Sequence, residues 1–309
     1  MPTPASRPGT GTRADDEPAA LLDRHHLLLR KLLSRDQVDE LTVEQGQFHL
    51  VLIGAERVVC LARTGAAAAR LPRRAAALRA VAALGLGVRT PEPLDVSVAG
   101  HVPPYLVLSR VPGSPLIPDE LRTALEADDD SPVASQYARL LDELAAAGRG
   151  EPARAGLPRP APDRWRRFAE EVRAELFPLM SERGRRRAEQ RLAPLAGLPH
   201  VAGAVVHGDL GAENVLWTRD GDGLPVLSGV LDWDEVALGD PAEDLAAMRA
   251  SHGPAFLRRV VASLGVPDPY GRLPERIAAI HGTFALQQAL AAHRDGDDGE
   301  LDDGLRGFR

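Results

Sequence analysis

Apolar residues alternate in short runs near the start of this chain and recur at helical spacing through most of the remainder. Residues 38–43, 48–53 and 57–63 read as strands, the first two joined by Glu44-Gln45-Gly46-Gln47. Residues 67–84 come next, with Leu71, Ala75, Leu78 and Ala82 on one face, the signature of an amphipathic helix. A further strand is expected over 105–111, stopped by Pro112-Gly113-Ser114-Pro115. Ahead of all of these, residues 21–33 form a helix candidate.

Beyond residue 112 the pattern is mostly helical. Helices are expected over 119–126, 131–147, 163–179, 181–195, 242–250, 254–264 and 274–293. Ser131-Pro132 and Ser181-Glu182 supply start signals. The Pro- and Gly-rich stretch 149–162 reads as a loop and a candidate edge of an acceptor pocket, and the acidic run 295–309 as a solvated end. Three short strands interrupt the helices: Val205-Val206, Val215-Leu216-Trp217 and residues 226–231. Asp220-Gly221-Asp222-Gly223 makes the last two a hairpin.

That hairpin carries the chemistry. Its two ends deliver Asn214 and Asp232 to one edge, and His207-Gly208-Asp209 precedes Asn214 with four residues between. Phosphoryl transfer asks a protein for a carboxylate that orients the attacking hydroxyl and for oxygen ligands that hold magnesium on a nucleoside triphosphate. Magnesium takes few protein ligands and completes its octahedron with phosphates and water, so one amide and one carboxylate suffice. Strands on either side fix such a loop tightly, and positioning is most of the catalysis.

The segments VVHGDLGAENVLW and VLDWDEVALGDPAEDLA resemble the catalytic motif of the aminoglycoside phosphotransferase and choline kinase family, relatives of the protein kinases. The resemblance implies an α+β, kinase-like two-lobed fold, with a small antiparallel-sheet lobe and a mostly helical one. It implies that Asp209 is the catalytic base and that Asn214 and Asp232 bind magnesium. His207 is expected to support the loop by hydrogen bonding near Asp232, with a general-base role as the alternative. Asp240 is expected to cap a helix, and Asp244 to anchor the loop. For Asp234 and Glu235, a further acid near the metal and a solvated turn stand equally open. GQFH at 46–49 is most similar to the macrolide phosphotransferase branch.

The implied organisation is a disordered stretch over 1–16, a nucleotide-binding lobe over 17–111 and a helical lobe with the acceptor site over 112–309. Gly46 would lie over the triphosphate, and backbone groups near Ser109 and Val111 would read the nucleotide base. Members of the family place a lysine on the third strand and pair it with a glutamate on the next helix. Here the strand ends in Arg63, Lys31 is the sole lysine, and no acid occurs between Glu56 and Glu92. Arg63 is therefore expected to grip phosphate as a planar fork; decay of the nucleotide site is the alternative.

Bulk properties narrow the class. With 309 residues the chain can build two cores, and 44% hydrophobic with 26% charged residues is ordinary for a globular protein. A net charge of −7 argues against nucleic acid as a partner. No apolar run approaches a membrane span, and the first residues lack a signal-peptide core, so a cytoplasmic location is expected. Cys60 is the single cysteine and sits in an apolar run, which suits a core thiol. The expected activity is transfer of the γ-phosphoryl group of ATP or GTP to the hydroxyl of a small molecule, such as a macrolide or aminoglycoside antibiotic. Homoserine and choline are the metabolic alternatives; 4% aromatic content argues against an aromatic cage for choline. A kinase-like module that binds nucleotide without turnover is the rival from another class.

Overall fold

The computed structural model describes residues 18–36, 41–45, 49–97, 100, 103–117, 132–265, 268 and 270–309. Gly46, the expected 1–16 stretch and the helix expected over 119–126 lie outside them. The chain divides into two compact units, Met1–Pro72 with Pro93–Arg110 and Arg73–Glu92 with Val111–Arg309.

The first unit holds helix α1 (Pro18–Leu32) and strands β1 (Thr42–Gln45), β2 (His49–Ile53), β3 (Arg57–Ala62), β4 (Pro93–Val96) and β5 (Tyr105–Ser109). The strands form one sheet in the order β1-β2-β3-β5-β4, every neighbouring pair antiparallel. Cross-strand apolar pairs set its core. Leu50 faces Leu61, Leu52 faces Val59, and these continue across the sheet to Tyr105 and Val107. Leu29, Leu32 and Leu33 of the α1 segment close over that face, all buried. β4 was not expected from the sequence. Its leading proline suits an edge strand, where one N–H can be missing from the ladder.

Helix α2 (Gly65–Ala82) begins at Thr64, whose Oγ1 accepts the Ala67 N–H at 3.1 Å. Its buried stripe is Ala67, Leu71, Ala75, Leu78 and Val81. The second unit continues with α3 (Pro132–Ala147), α4 (Glu151–Gly156), α5 (Arg164–Glu171), α6 (Glu182–Leu192), β6 (Ala204–Val206), β7 (Val215–Arg219), β8 (Pro225–Val230), β9 (Ala237–Gly239), α7 (Ala242–Ala262), α8 (Leu273–His281), α9 (Phe284–Asp295) and α10 (Asp298–Leu305). β7 and β8 form the expected hairpin, and β6 pairs antiparallel with β9. α7 joins two expected helices across a kink at Gly253, whose φ of 82° is left-handed.

Two expectations are corrected. The stretch 149–162 is not all loop, because α4 forms inside it. Pro152 falls in the first turn of that helix, where the missing N–H costs nothing, and Ala153 is buried. The acidic run 295–309 is not a solvated end. Asp297 caps α10 by accepting the Glu300 N–H at 3.0 Å, and Leu301, Leu305 and Phe308 are buried. They join Val172, Leu176, Ala188, Leu192, Leu286 and Leu290 in one core. Among the described residues no helix is long and apolar enough to cross a membrane.

A buried polar cluster ties α3 to α7. The Tyr137 hydroxyl lies 3.0 Å from His252 Nε2, and Ser251 Oγ lies 2.7 Å from Nδ1. The His252 ring stacks on Phe256 with centroids 4.8 Å apart. Burial lowers the His252 pKa from 6.5 to about 4, against a backbone hydrogen bond with Met248 that favours the cation. A base with a depressed folded-state pKa binds fewer protons folded than unfolded between those two values. Its contribution is present above pH 6.5 and is lost as pH falls toward 4, on the order of 3 kcal/mol in all. Urea titrations across that window are expected to show a flatter pH dependence for His252→Gln than for the wild type. Equal slopes would remove His252 as the source.

Candidate active site

The pairing of β6 with β9 buries Ala204, Val205 and Val206 and so fixes the start of the loop at His207. His207 is fully buried beside Trp233, ring centroids 4.6 Å apart. Its own N–H donates to Asp244 Oδ2 at 2.9 Å, and the Gly208 N–H donates to Asp244 Oδ1 at 2.9 Å. Asp244, on α7, thus holds the entry to the loop with both oxygens. Burial pushes its pKa up to about 7, although the two N–H donors favour the ionised form. Gly208 has a φ of 92°, and a Cβ there would meet Glu235 Cβ at 2.8 Å and the Glu235 carbonyl at 2.9 Å. Only glycine makes that turn without displacing the Glu235 backbone.

The His207 ring links the rest. The Asp209 N–H donates to Nδ1 at 3.2 Å, so Nδ1 is the acceptor nitrogen. Nε2 must then carry the hydrogen it gives to the Leu231 carbonyl, 2.6 Å away. Burial lowers the His207 pKa, opposed by the Leu231 hydrogen bond and the charge of Asp232, in keeping with a neutral ring. The Leu231 N–H in turn donates to the Asn214 carbonyl at 2.8 Å. Asn214 Nδ2 donates to the Asp209 carbonyl at 2.9 Å and to Asp209 Oδ2 at 3.3 Å. One circuit of hydrogen bonds therefore runs through Asp209, His207, Leu231 and Asn214, and Asp232 is the next residue along.

Asp232 has a φ of 55°, an uncommon conformation for a residue with a side chain, though aspartate tolerates it best. Its neighbours hold it there. Leu231 is bonded on both backbone sides, and Trp233 is fully buried with Nε1 donating to the Val230 carbonyl at 2.9 Å. The Asp232 side chain itself is 51% exposed and so open to a ligand. Asp209 also reaches solvent. Partial burial first, then the charge of Asp232, raises its pKa, while the hydrogen bond from Asn214 lowers it.

The structure brings His207, Asp209, Asn214 and Asp232 together. Arg63 is exposed just past β3, Ser109 pairs with Arg57 at the end of β5, and both belong to the first unit. Val111 belongs to the second, where it is buried and packs against Gly229. Asp240 accepts the Ala242 N–H at 2.9 Å at the start of α7, and its other oxygen accepts from Arg276 Nε at 3.0 Å. Sequence reasoning missed Arg74. From α2 its Nη2 lies 3.8 Å from Asp232 Oδ1, and its Nε lies 3.0 Å from Asp234 Oδ1. Arg70, Arg73 and Arg79 share that helix, so no pattern singled it out.

A cavity of about 370 Å³ lies elsewhere, against Leu141, Ala145, Ala204, Leu245 and Tyr270. Ala204 begins β6 whereas the catalytic loop leaves from its other end, so this cavity is not beside Asp209.

Residues 43–280 match the phosphotransferase enzyme family. The chain is 57% identical over 291 residues to viomycin phosphotransferase of Streptomyces vinaceus, covering 94% of this chain and 99% of that protein. Among solved structures it resembles the GDP and kanamycin complex of APH(2")-IIIa, with a TM-score of 0.73, 20% identity, and 92% and 96% of the two chains covered. It also resembles macrolide 2'-phosphotransferase type I, with a TM-score of 0.67, 21% identity, and 95% and 98% covered. The expected α+β kinase-like fold is thus shown, and the chain belongs to the phosphotransferase enzyme family.

Proposed function

We propose that this enzyme transfers the γ-phosphoryl group of ATP or GTP to a hydroxyl of viomycin or a close analogue. The observation that carries the reading is the hydrogen-bonded circuit through Asp209, His207 and Asn214, with Asp232 at its edge. The similarity to viomycin phosphotransferase supplies the acceptor. Asp209 is the base: it accepts the proton of the acceptor hydroxyl as that oxygen meets the γ-phosphorus. Partial burial and the charge of Asp232 raise its pKa, which makes it the better proton acceptor.

Magnesium fits the residues present. Asn214 spends Nδ2 on Asp209, which leaves Oδ1 for a cation, and the exposed Asp232 carboxylate supplies the second hard oxygen. The repulsion felt by Asp209 from Asp232 is the kind that a bound dication relieves. Bound there, the ion would neutralise charge on the transferred phosphoryl group. His207 holds the loop in register and takes no proton, because both ring nitrogens are spent on backbone groups.

Viomycin, kanamycin, gentamicin, streptomycin and a macrolide, each incubated with enzyme, magnesium and either nucleotide, are expected to separate cleanly by mass spectrometry. Viomycin gains one phosphoryl group. A gain only on another antibiotic would replace the acceptor, and nucleotide binding with no gain on any would favour the non-catalytic module.

A further inference from the structure

The family's lysine–glutamate pair cannot be built from β3 and α2, since β3 is followed by Arg63 and α2 carries no acid. α2 instead sends a cation to the carboxylates. The Arg74 side chain is 18% exposed, whereas the Asp232 and Asp234 side chains it meets are 51% and 43% exposed. The contact is electrostatic and not locked. Arg74 Nε is shut off from water, yet its N–H is not aimed at Asp234 within hydrogen-bond geometry and has no hydrogen-bond acceptor among the described residues. A buried donor left in that state favours any rearrangement that satisfies it. The Asp232 main chain cannot move. It is pinned between the doubly bonded Leu231 and the buried Trp233. The arginine, on a long side chain, can.

We propose that Arg74 is the internal counter-cation of the metal site: in the nucleotide-free enzyme it neutralises Asp232 and Asp234, and a divalent cation must displace it to bind Asp232. Arg74 is a positioning residue, not a catalytic one. It keeps these two neighbouring carboxylates compatible when no nucleotide is present, and it makes metal binding wait for the nucleotide, whose phosphates bring ligands of their own. This role rests on Asn214 and Asp232 being the metal ligands, as proposed for the function.

The test uses Mn²⁺ as a spectroscopic probe, titrated by electron paramagnetic resonance into the full chain without nucleotide, alongside thermal unfolding. Arg74→Met is expected to lower the unfolding temperature without metal, yet to tighten Mn²⁺ binding by about fivefold or more, the range of ordinary site coupling. Arg74→Lys restores the weaker, wild-type affinity. Should the methionine variant not fold, Arg74→Gln is read in the same way. A residue with a merely structural role would lower the unfolding temperature and leave Mn²⁺ affinity unchanged or weaker, and that outcome overturns the proposal. If the wild type binds Mn²⁺ with nucleotide while the variants show no tightening, the counter-cation role alone fails. If the wild type binds Mn²⁺ neither alone nor with nucleotide, the metal assignment fails first.

Discussion

Asp209→Ala is expected to lower kcat on the order of a thousandfold while leaving nucleotide affinity nearly unchanged. The asymmetry arises from where the residue sits. The Asp209 main chain, not its carboxylate, forms the links to His207 and to the Asn214 amide at 2.9 Å. Alanine keeps those links, so the loop and the metal-side oxygens stay in place. The variant loses the group that takes the proton from the attacking hydroxyl. Only the 3.3 Å contact from Asn214 Nδ2 goes with it. Removing a neighbouring negative charge also eases the approach of a triphosphate, which works against any loss of binding. Steady-state kinetics with viomycin, paired with nucleotide titration by calorimetry, check both halves. Retention of most activity would show that the proton leaves by another route.

Arg276→Ala is expected to destabilise the second unit by about 3–5 kcal/mol, the usual consequence of stranding a buried charge. Arg276 is 1% exposed. Its Nε meets Asp240 Oδ2 at 3.0 Å, its Nη1 meets Asp268 at 3.1 and 3.3 Å, and Nη1 also donates to the Gly271 carbonyl. Asp240 is itself 4% exposed, and Arg276 is its cation. Thermal unfolding should fall on the order of 10 °C for a unit of this size. The double variant Arg276→Met with Asp240→Asn is expected to recover much of that, because the Asp240 charge is then no longer stranded. A single-variant cost below about 1 kcal/mol would mean that water enters and solvates Asp240, contrary to a closed ion pair.

Much of this was legible in the amino-acid order. The short apolar runs at 49–53 and 57–62 marked β2 and β3, and the hairpin signal at 220–223 placed Asn214 and Asp232 at one edge. Other parts were concealed for physical reasons. α4 hid among prolines and glycines because Pro152 sits at the one helical position that welcomes it. α10 hid behind its charge. Leu301 and Leu305, four apart, were the trace of a buried face, outweighed by the acids around them. Arg74 and Arg276 could not be picked out, since nearly every cation in the chain is an arginine and burial is decided by distant partners. β4 showed no alternation because a four-residue edge strand exposes most of its length.

Residues far apart along the chain complete one core. Phe308 packs into the cluster built on Val172, Leu176 and Ala188, and its carbonyl lies so close over Gly184 that any side chain there would strike it. The helical unit consequently cannot close while residues 301–308 are still inside the ribosome. A chain cut short before them would leave the apolar interior around Val172 and Leu176 open to proteases and chaperones.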